Sequence, residues 1–271
     1  MGQLFELKNS IQNQFDKKNI DSSDLDWILV KVLGVNRSQL IIDRSLKNKE
    51  LRQIQKLAKK RLAGLPLSQV LGEVEFYGFD FGVNAYVLSP RPETELLVEI
   101  VKNEEAGKSG LDIGTGSGAI AITLEKLGGC KMTAIDISSR ALRVAKKNSL
   151  IHKTKVKFIK SNLFSKIEGK FDFIVSNPPY IKREDIYKLD SEVKDHEPWL
   201  ALDGGVSGYD FYEKIIHEAP KYLANNGKIY FEIGVGQSEK IAELLKTDFE
   251  DIIIKKDYNN IDRIVIATKK S

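Results

Sequence analysis

A single cysteine, Cys130, stands among 271 residues. No disulfide framework and no cysteine-based zinc cluster can be built from it. The histidines, His152, His196 and His217, are scattered along the chain, so no metal site is expected. No apolar run approaches the length of a membrane span, and Met1-Gly2-Gln3-Leu4-Phe5-Glu6 has no apolar signal core. The expected address is the cytoplasm. A large excess of one charge is lacking too, with 42 Lys and Arg against 38 Asp and Glu. What excess there is lies in one place: residues 1–75 hold 13 basic and 9 acidic side chains, residues 76–271 hold 29 of each. A neutral main body speaks against a duplex-DNA enzyme, whose affinity needs many phosphate contacts. The basic N-terminal quarter suits an acidic or RNA-rich partner, or is a plain solvated surface. What is present, 42% hydrophobic and 30% charged residues, is the composition of a globular chain with a real core.

Apolar periodicity divides the chain. Leu4, Leu7, Ile11 and Phe15 recur at helical steps, as do Leu25, Ile28, Leu29, Val32 and Leu33, and then Ile54, Leu57, Ala58 and Leu62. Asp21-Ser22-Ser23-Asp24 reads as a helix start, Gly34 and Gly64 as stops. Residues 1–68 are therefore expected to form a small helical domain. Aromatic and β-branched residues among Gly72, Gly78 and Gly82 mark a β-hairpin linker over 69–91. From 92 to 271, seven short apolar runs alternate with helical patterns. That alternation predicts an α/β domain, a doubly wound and mostly parallel sheet. Its last two runs are joined too tightly to be anything but antiparallel neighbours.

Leu111-Asp112-Ile113-Gly114-Thr115-Gly116-Ser117-Gly118-Ala119 closes a strand and opens a helix, and Asp136 ends the next strand. An acidic residue there can accept both hydroxyls of a ribose. The loop by itself fits two ligands. Gly114-x-Gly116-x-x-Ala119 satisfies the dinucleotide fingerprint, while Asp112 followed by alternating glycines suits S-adenosylmethionine.

A second turn separates the two. The apolar run Phe171–Val175 leads into Ser176-Asn177-Pro178-Pro179-Tyr180. Prolines stop the strand at its carboxyl end, where open α/β sheets bind ligands. Methylating a planar NH2 group is difficult because its lone pair is delocalised. Two acceptors, the Asn177 side-chain oxygen and the Pro178 carbonyl, can each take one N–H and aim the nitrogen at an activated methyl. Such positioning supplies several kcal/mol, roughly 7–11 at best. Tyr180 offers a flat face to the planar group. No strong base is needed, and a nicotinamide enzyme has no use for this turn.

On these motifs the sequence resembles the HemK-type protein-(glutamine) methyltransferases that modify peptide chain release factors. The resemblance extends to Leu71-Gly72-Glu73, Phe76-Tyr77-Gly78, Ser89-Pro90-Arg91-Pro92-Glu93-Thr94-Glu95, Glu197-Pro198, Ala201-Leu202, Gly204-Gly205, Gly208-Tyr209-Asp210-Phe211-Tyr212, Glu232-Ile233-Gly234 and Asp262-Arg263. It implies a Rossmann-like methyltransferase sheet of seven strands. It implies methyl transfer from S-adenosyl-L-methionine to the glutamine amide of the Gly-Gly-Gln tip of class-1 release factors. The catalytic residues would be Asn177, Pro178 and Tyr180, with Pro179 joining them around the substrate. Gly114, Thr115, Gly116, Ser117, Gly118, Asp136, Asn162, Leu163 and Asn177 would line the cofactor. Asn162 and Leu163 stand where the family often has an Asp and an apolar residue, and Ser89 replaces an aliphatic one. The N-terminal helices would grip the protein substrate, with no membrane, no sequence-specific nucleic acid contact and a monomeric state. The alternative reading is an amino methyltransferase acting on a ribosomal-protein glutamine or on nucleic acid. A non-enzymatic docking module is the third reading, disfavoured by the intact acceptor turn. Arg91 and Glu93 either line the cofactor pocket or pair at a helix start, and Glu197 either closes the site or faces solvent. Cys130 reads as a buried small hydrophobe, Trp27 and Trp199 as packing anchors.

Overall fold

The computed structural model describes residues 3–271. In chain order the elements are α1 (Gln3–Asp16), α2 (Ser22–Leu33), α3 (Asn48–Leu62), α4 (Leu67–Leu71), β1 (Glu73–Phe76), β2 (Phe79–Gly82), α5 (Pro92–Glu104), β3 (Ser109–Ile113), α6 (Ala119–Gly128), β4 (Lys131–Asp136), α7 (Ser139–His152), β5 (Lys157–Lys160), β6 (Phe171–Ser176), α8 (Ser191–Lys194), α9 (Trp199–Leu202), α10 (Asp210–Glu218), β7 (Leu223–Glu232), α11 (Ser238–Leu245), β8 (Phe249–Lys256) and β9 (Asp262–Lys269). They group into two compact units. One runs to Glu73 and takes in Ser191–His196; the other comprises Val74–Asp190 and Glu197–Ser271.

The first unit is helical. Asp21 caps α2 by accepting from the Ser23 amide at 2.8 Å, which satisfies one of the donors every helix start leaves over. Gly34 ends α2 in the left-handed conformation, φ 64°. The apolar faces bury Leu4, Ile11, Phe15, Leu25, Ile28, Leu29, Ile54, Ala58 and Val70 in one core. A charge is buried with them. Arg61 Nε donates to Asp24 Oδ2 at 2.6 Å and its Nη2 to Glu192 Oε1 at 2.6 Å. The segment 191–196 is thus tied to α2 and α3 of this unit, which the periodicity of residues 1–68 gave no reason to expect. Trp27 is 45% exposed and lies outside the buried core of this unit.

The second unit carries a seven-stranded sheet of order β5-β4-β3-β6-β7-β9-β8. β3 to β7 pair in parallel, while β9 is antiparallel to both β7 and β8. Beyond a register shift at its start, successive residues of β6 face opposite ways: Phe173 and Val175 join the core under α5 and α6, and Ile174 joins the core under α10 and α11, as does Phe171 before the shift. The hairpin β1–β2 turns at Tyr77 and Gly78, both at positive φ, as a two-residue primed turn requires. Phe76 and Phe81 are buried in the same core as α5 and α6. Cys130 is buried there too. Among the described residues no helix is long and apolar enough to cross a membrane, and no cluster of His, Cys, Asp or Glu is arranged to hold a metal.

Candidate active site

Strand register builds the site. Ile113 pairs with Ile135 on one side and with Ser176 on the other, and Ser176 pairs with Phe231. One residue further along, at the carboxyl ends, Asp136, Gly114, Asn177 and Glu232 therefore fall into one row across β4, β3, β6 and β7. The Ser176 hydroxyl donates to the Ile113 carbonyl at 2.7 Å, fully buried. That bond pins the acceptor turn beside the glycine loop.

In the loop, Gly114, Gly116 and Gly118 all have positive φ. A Cβ on Gly118 would stand 2.8 Å from Ile122 and 3.2 Å from Ala145, so this glycine lets α6 and α7 approach. A Cβ on Gly114 would meet nothing within 4 Å, and one on Gly116 only the Gly114 carbonyl at 4.0 Å. The loop's outer face is thus open. Thr115 and Ser117 are buried: the Thr115 hydroxyl donates to Asp112 Oδ2 at 2.6 Å, and the Ser117 carbonyl accepts from Asn148 Nδ2 at 2.8 Å. They offer a ligand their backbone rather than their side chains. Asp112 is fully buried, and its Oδ1 has no hydrogen-bond partner. Burial, with the charge of Asp136 adding to it, pushes its carboxyl up to about 7. Asp136 accepts from the Gly116 amide at 3.0 Å and the Ser138 amide at 2.8 Å, which opposes the upward push of its own burial.

At the end of β5, Asn162 is exposed. Leu163 follows in the left-handed region at φ 47°, a strained setting for a non-glycine residue. The Ser161 hydroxyl donates to its carbonyl at 2.6 Å. These positions fit an adenosyl cofactor: an open glycine cradle, a buried carboxylate oxygen without a partner, an acid at the neighbouring strand end, and a free amide beyond it.

The acceptor turn is held from below. Asn177 Nδ2 donates to the Thr94 hydroxyl at 3.3 Å, and that hydroxyl donates to Glu232 Oε2 at 2.6 Å. Burial pushes Glu232 up to about 7, against the opposing pull of Thr94, Arg263 and Asn177. Pro178 is buried, while Pro179 and Tyr180 are half-buried. Desolvation raises the Tyr180 hydroxyl to about 12, so it stays protonated at neutral pH. Glycines surround Tyr180. A Cβ on Gly204 would be 2.7 Å from its carbonyl carbon, one on Gly234 2.9 Å from its ring. Gln237 ties the parts together, donating to the Tyr180 and Gly208 carbonyls at 3.2 Å and accepting from the Gly234 amide at 2.9 Å.

The entry segment divides its work. Pro92 opens α5, and Glu95 accepts from the Tyr77 amide of the hairpin at 2.7 Å. Arg91 Nη2 reaches both oxygens of buried Glu197 at 2.8 Å. Arg91 thus pairs with Glu197 and not with Glu93, and Glu197 does not face solvent. Trp199 is 38% exposed rather than a packing anchor; its Nε1 donates to Asp203 at 3.1 Å. The sequence motifs contained Thr94, Ser176 and Glu232 but assigned them no task, and Gln237 carried no local signal at all.

Comparison with known proteins bears on the family and the fold. Residues 91–193 match the methyltransferase small domain, and residues 6–72 match the PrmC N-terminal domain. The release factor glutamine methyltransferase of Chlorobaculum tepidum is 38% identical over 269 residues, covering 92% of this chain and 91% of its own. That of Thermodesulfovibrio yellowstonii is 36% identical over 271 residues, covering 96% and 97%. Among solved structures, a methyltransferase from Pyrococcus furiosus superposes with a TM-score of 0.58 at 23% identity, covering 81% of this chain and 98% of that one, which bears on the fold. Identity at this level over nearly the full length of both relatives shows that the chain belongs to the release factor glutamine methyltransferase family.

Proposed function

We propose that the protein transfers a methyl group from S-adenosyl-L-methionine to the side-chain amide nitrogen of the glutamine in the Gly-Gly-Gln motif of peptide chain release factors, giving N5-methylglutamine. The observation that carries this reading is the register row, which sets the acceptor turn at Asn177 next to the open glycine loop at Gly114. The cofactor supplies a methyl on a positively charged sulfur, so its transfer needs an aligned nucleophile rather than an acid. Gly114, Thr115, Gly116, Ser117 and Gly118 would hold it mainly through backbone, Asp136 at the ribose, Asn162 and Leu163 at the adenine, and Asn177 beside the methyl. Asn177 Oδ1 and the Pro178 carbonyl each accept one N–H of the substrate amide, and Pro179 and Tyr180 flank its plane. Holding the nitrogen this way supplies orientation that is worth several kcal/mol, of order 7–11 at best. After transfer the nitrogen carries a proton it sheds readily to water, and no buried base is required.

On this reading residues 1–68 dock the protein substrate, 69–91 form the hairpin linker, and 92–271 carry out transfer. The protein works as a monomer in the cytoplasm, without sequence-specific nucleic acid contact. The family membership and the names of its relatives support release factors as the substrate class. The test is incubation with labelled cofactor and a purified release factor. One glutamine should gain label, and a Gln→Ala change at the tip should abolish it. Persistence of label in that variant would refute the substrate assignment. Asn177→Ala should retain affinity for the cofactor product while losing turnover.

A further inference from the structure

An amide side chain has two ends of nearly equal shape and opposite polarity. Asn177 can accept from the substrate only with Oδ1 outward and Nδ2 inward. With the ends exchanged, an NH2 would face an NH2 and no productive complex would form. Something must therefore set the amide's orientation.

We infer that Thr94 and Glu232 are positioning residues that fix the orientation of the Asn177 amide, an inference resting on the proposed function above. The chain of bonds is directional. Burial raises Glu232 to about 7, and above that pH, where it is ionised, it has only acceptor oxygens. The Thr94 hydroxyl has one hydrogen, and at 2.6 Å from Oε2 that hydrogen belongs to Glu232. Towards Asn177 the hydroxyl then presents lone pairs alone, so the end of the amide that meets it at 3.3 Å must be Nδ2. Both Thr94 and Glu232 are buried, where a mispaired polar group is costly, so the reversed amide is disfavoured.

Their placement is built into the fold. Glu232 lies one residue beyond Phe231, which pairs with Ser176, so β7 delivers it opposite Asn177. Thr94 comes from the first turn of α5, which the buried side chains Leu97, Val98 and Val101 hold against the sheet. The Tyr212 hydroxyl donates to the Glu232 carbonyl at 2.8 Å and steadies the backbone there. None of these groups needs to touch the substrate.

The test is steady-state methylation of the release factor by T94V, T94S and E232Q, with affinity for the cofactor product measured alongside. T94V keeps the shape and loses both bonds. It should lower kcat roughly tenfold or more while KM and cofactor-product affinity stay near wild type. T94S keeps the hydroxyl and should restore most of the rate. E232Q can donate to Thr94, freeing the hydroxyl hydrogen to face Asn177, and should also lower kcat. A folded T94V with wild-type kcat overturns the inference, as does a T94S as slow as T94V. Should T94V fail to fold, E232Q decides, and wild-type kcat there overturns it equally. Absence of methylation by the wild-type protein would instead strike the proposed function, so the two failures are distinct.

Discussion

Gly204 offers the sharpest probe of how closely the acceptor turn must be held. Its φ is not in the left-handed region, so Gly204→Ala introduces no backbone strain and acts by contact alone. The added methyl would stand 2.7 Å from the Tyr180 carbonyl carbon, 2.8 Å from its Cα and 3.0 Å from the Pro179 carbonyl. All three are backbone atoms and cannot swing aside. Ordinary contact begins at 3.4 Å, so the Pro179–Tyr180 segment must retreat by about 0.7 Å. Retreat is resisted from both sides, because the Gly204 amide donates to the Ile181 carbonyl at 2.8 Å and Ile181 donates to Leu202 at 3.2 Å. Overpacking of this kind destabilises by about 1–3 kcal/mol. Misplacement of a reacting group by about 1 Å can slow a reaction on the order of 100-fold, so a fall in kcat of roughly 10- to 100-fold is expected here. The glycine loop lies on another strand, and affinity for the cofactor product should not change. Methyl incorporation into the release factor gives kcat, calorimetric titration gives the affinity, and circular dichroism confirms folding. A folded variant with undiminished turnover would show that the turn tolerates displacement and that the positioning argument is wrong.

Asp112 and Glu232, both raised to about 7 by burial, bind protons in the native state that the unfolded chain has already released. Their contribution to stability should therefore decline as pH rises from about 4 to about 7 and level off above, by up to a few kcal/mol. Urea unfolding of the wild type and D112N across that range should show the wild type losing more stability with rising pH than the variant; parallel pH profiles would contradict the burial argument. Removing Arg61 leaves Asp24 buried without its cation, so R61M should destabilise the helical unit by about 3–5 kcal/mol, read by amide exchange in α2 and α3; unchanged exchange would show that the pair is dispensable. Lys153 ends α7 in the left-handed region at φ 57° with its side chain exposed, so K153G should stabilise by about 1 kcal/mol without altering turnover. An unchanged or lower Tm would refute that.

The parts of the site that could be read from the sequence are those whose chemistry is local. Three glycines in five residues, an acid at the next strand end and an asparagine before two prolines are each complete within a few positions. The support beneath them is not. Thr94 lies 83 positions from Asn177 and 138 from Glu232, and only strand register brings them together. The fold shows the same division. Leu223–Lys228 joins β7 although it holds Asn225-Asn226-Gly227, residue types that favour turns. The strand absorbs those residues in an irregularity, pairing Phe171 with Leu223 and then Phe173 with Lys228, with Asn226 at φ 56°. Trp27 and Trp199 misled because aromatic size predicts burial only on average. The excursion of 191–196 to the helical unit depends on Glu192 meeting Arg61, a pairing of two common charged residues that no spacing announces.

The same reasoning explains why this site contains so little acid–base machinery. Transfer from a sulfonium creates no leaving group that needs a proton, and the product nitrogen loses its own. On the proposed function, the task left to the protein is to hold a poor nucleophile at the right angle. A parallel sheet is suited to that task, since a slip of one residue between β3 and β6 would carry Asn177 about 3.3 Å from its place and turn it to the opposite face. Ser176 guards against the slip with a buried side-chain bond to Ile113 beyond the ladder itself. The ionisable groups nearest the turn stand one layer back, where Glu232 acts on Thr94 and Thr94 on Asn177. On the proposed function, the ionised Glu232 would orient the acceptors through Thr94, and the neutral acceptors would orient the substrate.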